Sequence, residues 1–122
     1  MTKHNQKIGA WGEDIAAKWL AEHDHKILAR NVRTPYGEID IIAKDGKELV
    51  IVEVKARGTD SYEHPTEAVS NKKIRFLVNA AEAYIQENNI NLDTRFDVIS
   101  IVFYGRSFEI EHFKDAFYPP VN

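Results

Sequence analysis

"GEIDIIAKDGKELVIVEVKAR", residues 37–57, has the pattern of two strands joined by a tight turn, and the rest of the fold can be built around it. Two runs rich in Ile and Val, "EIDIIAK" and "ELVIVEVKA", flank Asp45-Gly46, a pair typical of a type I′ hairpin turn. Charged residues interrupt both runs where a buried sheet should stay apolar: Glu38, Asp40, Glu53 and Lys55. Because burying charge is costly unless a cation compensates, the hairpin also predicts a charged site.

Side-chain alternation assigns the hairpin residues to two faces. With Asp45-Gly46 as the turn, one face is uniformly apolar and pairs Ile39 with Val52 and Ile41 with Val50. The other face is apolar near the turn and charged beyond it, with the pairs Ile42–Leu49, Asp40–Ile51 and Glu38–Glu53, followed by Lys55. Asp40 and Glu53 are then diagonal neighbours about 7–8 Å apart, within reach of one shared ion.

Periodic apolar residues outside the hairpin predict two helices and further strands. Residues 6–23 form an amphipathic helix whose apolar face includes Trp11 and Trp19, which we assign to the core. Residues 66–88 predict a second helix, broken near Ser70. The remaining strands are predicted at 26–33, 95–104 and, at a sheet edge, 107–113. A meander followed by a crossover helix predicts an α/β fold of order α-β-β-β-α-β and a mixed sheet, with the last long strand parallel to a meander strand.

The sequence leaves two alternatives open for Glu13, at the border of the apolar stripe of the first helix. Gly9, one turn earlier, leaves room for the carboxylate to lean toward the sheet. Alternatively, Glu13 is a solvated acid favoured by the helix dipole. Gly9 and Gly12 are poor helix formers, and close packing of the helix against a sheet would explain both.

Composition bounds the class of protein. The 122 residues suffice for one domain, residues 1–122, with a hydrophobic core. The absence of cysteine excludes disulfides, thiolate catalysis and cysteine-ligated zinc, and it suits the cytoplasm. No apolar run reaches about 20 residues and the N-terminus lacks a signal-peptide core, so neither a membrane partner nor export is expected. The net charge of −3 means that any nucleic-acid surface is a local patch.

Four segments, "IGAWGEDIAAKWL", "ILARNVRTPYGEIDIIAKDG", "VIVEVKAR" and "RFDVISI", closely resemble in this order the YraN family of small bacterial proteins. The likeness extends to "DAFYP" near the C-terminus. The family is similar to archaeal Holliday-junction resolvases, which belong to the PD-(D/E)xK nucleases. The resemblance therefore implies a restriction-endonuclease-like fold and a metal-dependent endonuclease that hydrolyses phosphodiester bonds in branched DNA.

The same resemblance assigns residues to the reaction. The helix acid of the resolvase pattern falls on Glu13 and the first-strand aspartate on Asp40, while "EID" stands where "PD" would. The (D/E)xK pair falls on Glu53 and Lys55. Asp40, Glu53 and the Val54 carbonyl would then bind Mg²⁺ or Mn²⁺, and Glu13 would hold a metal-bound water or support a second ion. Lys55 would orient the attacking water and offset developing charge.

Basic residues near these positions are candidates for nucleic-acid contacts. They are Arg30, Arg33, Arg57, Lys72, Lys73 and Arg75, and for each an ordinary solvated face is an equal alternative. Glu38 is interpreted as an outer partner of the metal ligands or as a salt-bridge acceptor for Arg33 or Lys55. Tyr36 is interpreted as a base or sugar contact or as a turn residue after Pro35.

The histidines and Asp97 are assigned no metal site. His23 and His25 lie in a polar turn with no third ligand at a metal-site spacing. The other histidines are isolated in the sequence: His4, His64 and His112. Asp97 is interpreted as a partner for Arg95 or for a backbone group.

Three functions remain in competition at this point. A metal-dependent nuclease acting on structured DNA leads, and a nucleic-acid-binding or partner-binding module without turnover is the alternative. A structural domain with surface ion pairs is the third, and saturable Mg²⁺ or Mn²⁺ binding would separate it from the other two. Because junction resolvases act on two strands symmetrically, the resemblance also makes a homodimer an expectation.

Overall fold

Two helices and five strands form the part of the chain that the computed structural model describes, residues 3–59 and 69–118. In chain order they are α1 (Lys3–Glu22), β1 (Lys26–Thr34), β2 (Gly37–Asp45), β3 (Glu48–Gly58), α2 (Asn71–Glu87), β4 (Asp93–Tyr104) and β5 (Ser107–Phe113). Neither of these two helices is long and apolar enough to cross a bilayer.

Some predictions fall outside the described residues. Most of the loop predicted at 58–65, with His64, lies there, as do residues 66–68 of the predicted second helix and the side chain of His4. Within the described part, α2 begins directly after Ser70, where the sequence predicts a break. The Ser70 hydroxyl oxygen accepts a hydrogen bond from the Lys73 N–H at 3.1 Å, and this N-cap satisfies one of the free N–H groups of the helix.

The strands form one mixed sheet in the order β1-β2-β3-β4-β5. β1, β2 and β3 are antiparallel neighbours, β4 runs parallel to β3, and β5 pairs antiparallel with β4 at the edge. α2 lies between β3 and β4 in the chain, because a parallel pair needs a crossover connection. The predicted α/β order, the mixed sheet and the edge strand are confirmed.

One helix covers each face of the sheet over an apolar core. The core beneath α1 contains Ala16, Leu20, Ile41, Ala43, Val50, Val52, Ile99 and Ile101. The core beneath α2 contains Ile39, Ile42, Leu49, Ile51, Leu77, Ala80, Ala81 and Phe96. Each fully buried large aliphatic side chain contributes roughly 1.5–3 kcal/mol, so the two cores hold the strands that carry the charged residues.

Gly12 sets how closely α1 approaches the sheet. A Cβ at this position would lie 2.6 Å from the Ala56 Cβ of β3, well inside the distance at which carbon atoms pack. A Cβ at Gly9 would meet no described atom within 4 Å. The packing explanation is therefore confirmed for Gly12 and wrong for Gly9.

The β2–β3 hairpin has a register two residues away from the predicted one. Asp45 lies opposite Glu48, so the turn is Gly46-Lys47 and the predicted turn at Asp45-Gly46 is wrong. Gly46 has a positive φ of 60° and Lys47 does not, which is typical of a type II′ turn with glycine first. A shift of two residues leaves the side chains of a strand on the same faces, so the charged residues of β3 keep their predicted side.

The alternation of faces fails at one point in β2. Ile41 packs in the core beneath α1, whereas Ile39, predicted on the same face, packs beneath α2 with Ile42. The interruption falls at Asp40, between Ile39 and Ile41. Pairing between β2 and β3 also stops just before Asp40, at Ile41 opposite Val52.

The assignment of Trp11 to the core is wrong. Trp11 is 55% exposed, and its ring contacts Phe103 of β4 with centroids 6.5 Å apart. Trp19 is half-buried and stacks on His23 with centroids 3.7 Å apart. The apolar stripe of α1 is therefore wider than the core beneath it.

Candidate functional site

Asp40 lies where β2 and β3 part. One further step of the hairpin pairing would place Asp40 directly opposite Glu53, a closer relation than the predicted diagonal. The Asp40 carboxylate accepts a hydrogen bond from the Val54 N–H at 2.8 Å. At the point where β2 and β3 no longer pair, this side chain therefore replaces the backbone acceptor that a paired strand would supply. The two acids are therefore neighbours, and the charge of Asp40 acts on Glu53.

Glu53 is a buried acid with incomplete compensation. It is 6% exposed, and its Oε1 lies 3.5 Å from Lys55 Nζ and 3.8 Å from Lys73 Nζ. Its Oε2 is buried and has no hydrogen-bond partner among the described residues. Burial, and after it the charge of Asp40, raise the pKa of Glu53 to about 7, although both lysines act in the opposite direction.

The carboxyl of Asp40 is destabilised in the same way. Burial raises the pKa of Asp40 above its usual range, and the charge of Glu38 adds to the effect. The Val54 N–H, Lys73 and Lys55 oppose this shift without cancelling it. Full ionisation of the acidic pair thus requires more positive charge than the two lysines supply, a condition typical of functional sites.

Glu13 approaches this site from α1. Burial and the charge of Asp40 raise the pKa of Glu13, which supports the alternative in which its carboxylate leans toward the sheet. With its carboxamide nitrogen turned to the acids, Asn31 of β1 donates to Glu13 Oε1 at 2.8 Å and to Glu38 Oε1 at 3.2 Å. Sequence reasoning missed Asn31, because one asparagine in a strand carries no signal of its own.

Glu38 lies at the exposed rim of the acidic site. Its Oε2 is 3.9 Å from Arg33 Nε, so the predicted ion pair with Arg33 is present, between two largely exposed side chains. Such a pair contributes less than about 1 kcal/mol. The charge of Glu38 raises the pKa of both Asp40 and Glu13, which makes it an outer member of the acidic cluster.

The other predicted nucleic-acid contacts lie in different surroundings. Lys73 is part of the acidic site, because its Nζ lies 3.8 Å from the buried carboxylate described above. Lys72 and Arg75 are exposed on α2, and Lys72 Nζ lies 5.8 Å from the centre of the Phe76 ring. Arg57 is half-buried near the end of β3. Of these residues, Lys73 therefore lies with the acids, and its predicted contact with nucleic acid stays a prediction.

A second polar cluster surrounds Asp97, which is fully buried. Arg95 donates to it twice, from Nε to Oδ1 and from Nη2 to Oδ2, both at 2.9 Å, and this confirms the predicted pair. His112 Nε2 lies 2.7 Å from Asp97 Oδ2, and His25 Nε2 lies 3.1 Å from Arg95 Nη2. His112, isolated in the sequence, is therefore not isolated in the fold, and His25 has potential ligand neighbours that the sequence spacing does not reveal.

The ligand atoms of His25, Asp97 and His112 lie within 4.8 Å of one another, a spacing that could hold a metal ion. The Arg95 guanidinium already lies among them, 3.1 Å from His25 Nε2 and 2.9 Å from Asp97 Oδ2. The Trp19 indole N–H, which can only donate, lies 3.3 Å from His112 Nδ1, so His112 carries its proton on Nε2 and donates it to Asp97. The Arg95 guanidinium thus supplies the positive charge that a metal ion would bring, and the hydrogen-bond donors of the cluster have acceptors within it. This arrangement favours a structural role.

Helices on both faces of a mixed sheet, with acids gathered where β2 and β3 part, define a restriction-endonuclease-like α/β domain. Residues 12–101 match the family described as "Uncharacterised protein family UPF0102". The chain belongs to this family, which is the YraN family.

Relatives in the family align with nearly the whole chain. A UPF0102 protein of Syntrophotalea carbinolica is 46% identical over 118 residues, with 96% of each chain covered. A UPF0102 protein of Bacteroides thetaiotaomicron is 43% identical over 121 residues, with 99% of each chain covered. One of Geobacter metallireducens is 44% identical over 118 residues, which cover 96% of this chain and 97% of the relative. These names give the family and state no activity.

Proposed function

We propose that this protein is a divalent-metal-dependent nuclease that hydrolyses phosphodiester bonds in branched DNA. One observation carries the proposal: Glu53 is buried beside Asp40, one of its oxygens has no partner among the described residues, and its pKa is raised to about 7. Natural proteins rarely bury an incompletely paired carboxylate, since the arrangement destabilises the fold. A cation bound between the two acids would remove that cost.

The donor set fits Mg²⁺ or Mn²⁺. Asp40, Glu53 and the Val54 carbonyl would hold the ion, with Glu13 facing it from α1, and all four offer oxygen, which these hard cations prefer. Among residues with described side chains, the carboxylate oxygens of Glu13, Asp40 and Glu53 do not all lie within 4.8 Å of one another. We expect these oxygens to move closer together when the ion binds, because the ion would offset the repulsion between the acids. The bound ion would polarise a phosphoryl oxygen and lower the pKa of the attacking water.

The lysines and Glu13 have separate tasks in this proposal. Lys55 Nζ lies 3.5 Å from Glu53 Oε1 and would orient the attacking water and offset negative charge that develops at phosphorus. Lys73 adds a second amine from α2 at 3.8 Å from the same oxygen. With its carboxamide nitrogen turned to the acids, Asn31 would fix the Glu13 carboxylate, which could accept a hydrogen bond from a water on the α1 side.

Cleavage assays test the proposal directly. The protein is incubated with Mn²⁺ and four-way junction, flap, linear duplex and single-stranded DNA. Asp40→Asn and Glu53→Gln should each reduce cleavage by about 100-fold or more while circular dichroism stays unchanged, because each removes a ligand and not an apolar contact. Glu109→Gln, which neutralises an exposed acid of β5, is the matched control and should cleave normally.

Two results would contradict the proposal. Undiminished cleavage by Asp40→Asn would remove this residue from the reaction. Saturable DNA binding by the native protein, without cleavage of any of these substrates, would favour the alternative of a binding module that keeps the fold without turnover.

A further inference from the structure

A cavity of about 250 Å³ opens on the α2 side of the sheet, and the proposed reaction does not use it. Its lining residues are Tyr36, Asn79, Glu82, Ala83 and Gln86. The volume is below the range of about 300–1,000 Å³ that is usual for drug-sized ligands. The cavity therefore suits one flat ring system.

Tyr36 forms one wall of the cavity from the β1–β2 turn. The Tyr36 N–H donates to Thr34 Oγ1 at 3.1 Å, and the Thr34 hydroxyl donates to the Gly37 carbonyl at 2.8 Å. These bonds fix the turn without using the tyrosine ring, which is 50% exposed. A large ring held by its backbone and open to water is suited to stacking on a ligand.

Helix α2 forms the opposite wall. Asn79, Glu82 and Gln86 follow one another at helical spacings of three and four, so they share a face, and the small Ala83 leaves space between them. Gln86 Nε2 lies 3.4 Å from Glu82 Oε1, which leaves the other Glu82 oxygen for a ligand. Carboxamides pair with the edge of adenine, and a carboxylate accepts from the amino group of cytosine, so this wall matches a base with an exocyclic amine.

The same helix connects the cavity to the acidic site. Lys73 contacts Glu53, and Asn79 lies six residues further on, about 9 Å along the axis. Between them, Phe76 is 44% exposed, with Lys72 5.8 Å from its ring centre. Aromatic and basic side chains that alternate along a surface are typical of single-strand binding, in which bases stack and amines follow the phosphates.

We propose that this cavity is a subsite for the base of an unpaired nucleotide that carries an exocyclic amino group, a few nucleotides from the bond that is cleaved. The inference rests on the proposed function, because it takes nucleic acid as the substrate. It adds that the protein recognises an unpaired strand of this substrate. Phe76 would stack on a neighbouring base, and Lys72 and Arg75 would contact phosphates.

Binding without divalent metal tests the subsite independently of cleavage. The affinities of fluorescein-labelled oligodeoxycytidine and oligothymidine of equal length are measured by anisotropy in chelator. We expect tighter binding of oligodeoxycytidine, about tenfold weaker binding of it by Tyr36→Ala, and loss of the preference over oligothymidine in Glu82→Gln. Tyr104→Ala is the matched control, because Tyr104 is 46% exposed at the end of β4, two strands away from β2, and this variant should bind as the native protein does.

The outcomes separate the subsite from the nuclease. Binding that depends on Tyr36 and Glu82, in a protein that cleaves nothing, would support the subsite and contradict the nuclease. Metal-dependent cleavage together with native affinity in Tyr36→Ala would support the nuclease and overturn the subsite. Equal affinity for the two oligonucleotides, or no binding of either, would also overturn it.

Discussion

At the scale of single residues, the charged positions of the hairpin could be recognised in the sequence, but the pKa values of these residues could not be predicted from it. An acid in an apolar strand identifies Glu53 from sequence alone. Its raised pKa depends first on its burial and then on how near Asp40 comes, and the two-residue shift in register changes that distance. Asn31 escaped prediction because its role exists only after β1 and α1 are brought together.

The raised pKa of Glu53 predicts a specific pH dependence of stability. The folded state binds this proton more tightly than the unfolded chain, so the stabilisation is complete below pH 4.5 and is lost as the pH rises through about 7. Since one pKa unit corresponds to about 1.4 kcal/mol, the loss is on the order of 3 kcal/mol. In the presence of a chelator, the free energy of unfolding above pH 7 should therefore be larger for Glu53→Gln than for the native protein. This difference should decrease as the pH is lowered toward 5.

Urea denaturation of both proteins across this pH range measures the difference. The exposed Glu109 provides the control, and Glu109→Gln should follow the native pH profile. Parallel profiles for Glu53→Gln and the native protein would show that burial does not disfavour the Glu53 charge.

At the scale of elements, the faces of most side chains were predictable, with Ile39 of β2 as an exception, and the register of the hairpin was not. The period of two in β3 and the helical period in α1 assign side chains to faces whatever the turn. The turn itself had two chemically reasonable positions around Gly46, and only the pairing of the whole strands chooses between them. Trp11 shows a related limit. The apolar stripe of a helix does not reveal how much of the stripe the sheet will cover, and the sheet leaves Trp11 55% exposed.

The contact between α1 and β3 gives a paired test at this scale. Gly12→Ala should lower the free energy of unfolding by about 1–3 kcal/mol, because its Cβ would lie 2.6 Å from the Ala56 Cβ and the helix must shift. Gly9→Ala, in the same helix, meets no described atom within 4 Å and should raise stability by up to about 1 kcal/mol. Equal effects of the two substitutions in urea denaturation would refute the close approach at Gly12.

At the scale of the whole molecule, the order of helices and strands was enough to predict the mixed sheet, because a meander followed by a crossover helix allows few arrangements of the strands. Of the buried cluster around Asp97, the pair with Arg95 was predictable, but the two histidines were not, since they come from β5 and from the connection after α1. The cluster ties these elements together. Burial alone would raise the pKa of Asp97, but hydrogen bonds from His112 and Arg95 outweigh it and hold the pKa below its usual range.

Removing the charge at the centre of this cluster should weaken the whole fold. Asp97→Asn deprives the buried Arg95 of the fully buried carboxylate to which it donates two hydrogen bonds, and we expect a loss of about 3–5 kcal/mol in the free energy of unfolding. Asp14→Asn removes an ion pair of similar length, 2.8 Å to Arg30, at the exposed surface and should cost less than about 1 kcal/mol. Similar unfolding midpoints for the two variants would exclude a central role for the cluster.

Titration with Mn²⁺ at pH 8, followed by calorimetry, tests the central claim that Asp40 and Glu53 form one metal site. We expect saturable binding of one ion per chain in the native protein and in Glu109→Gln, and loss of this binding in Asp40→Asn and in Glu53→Gln. Binding of native strength in Asp40→Asn, or no saturable binding by the native protein, would contradict this claim.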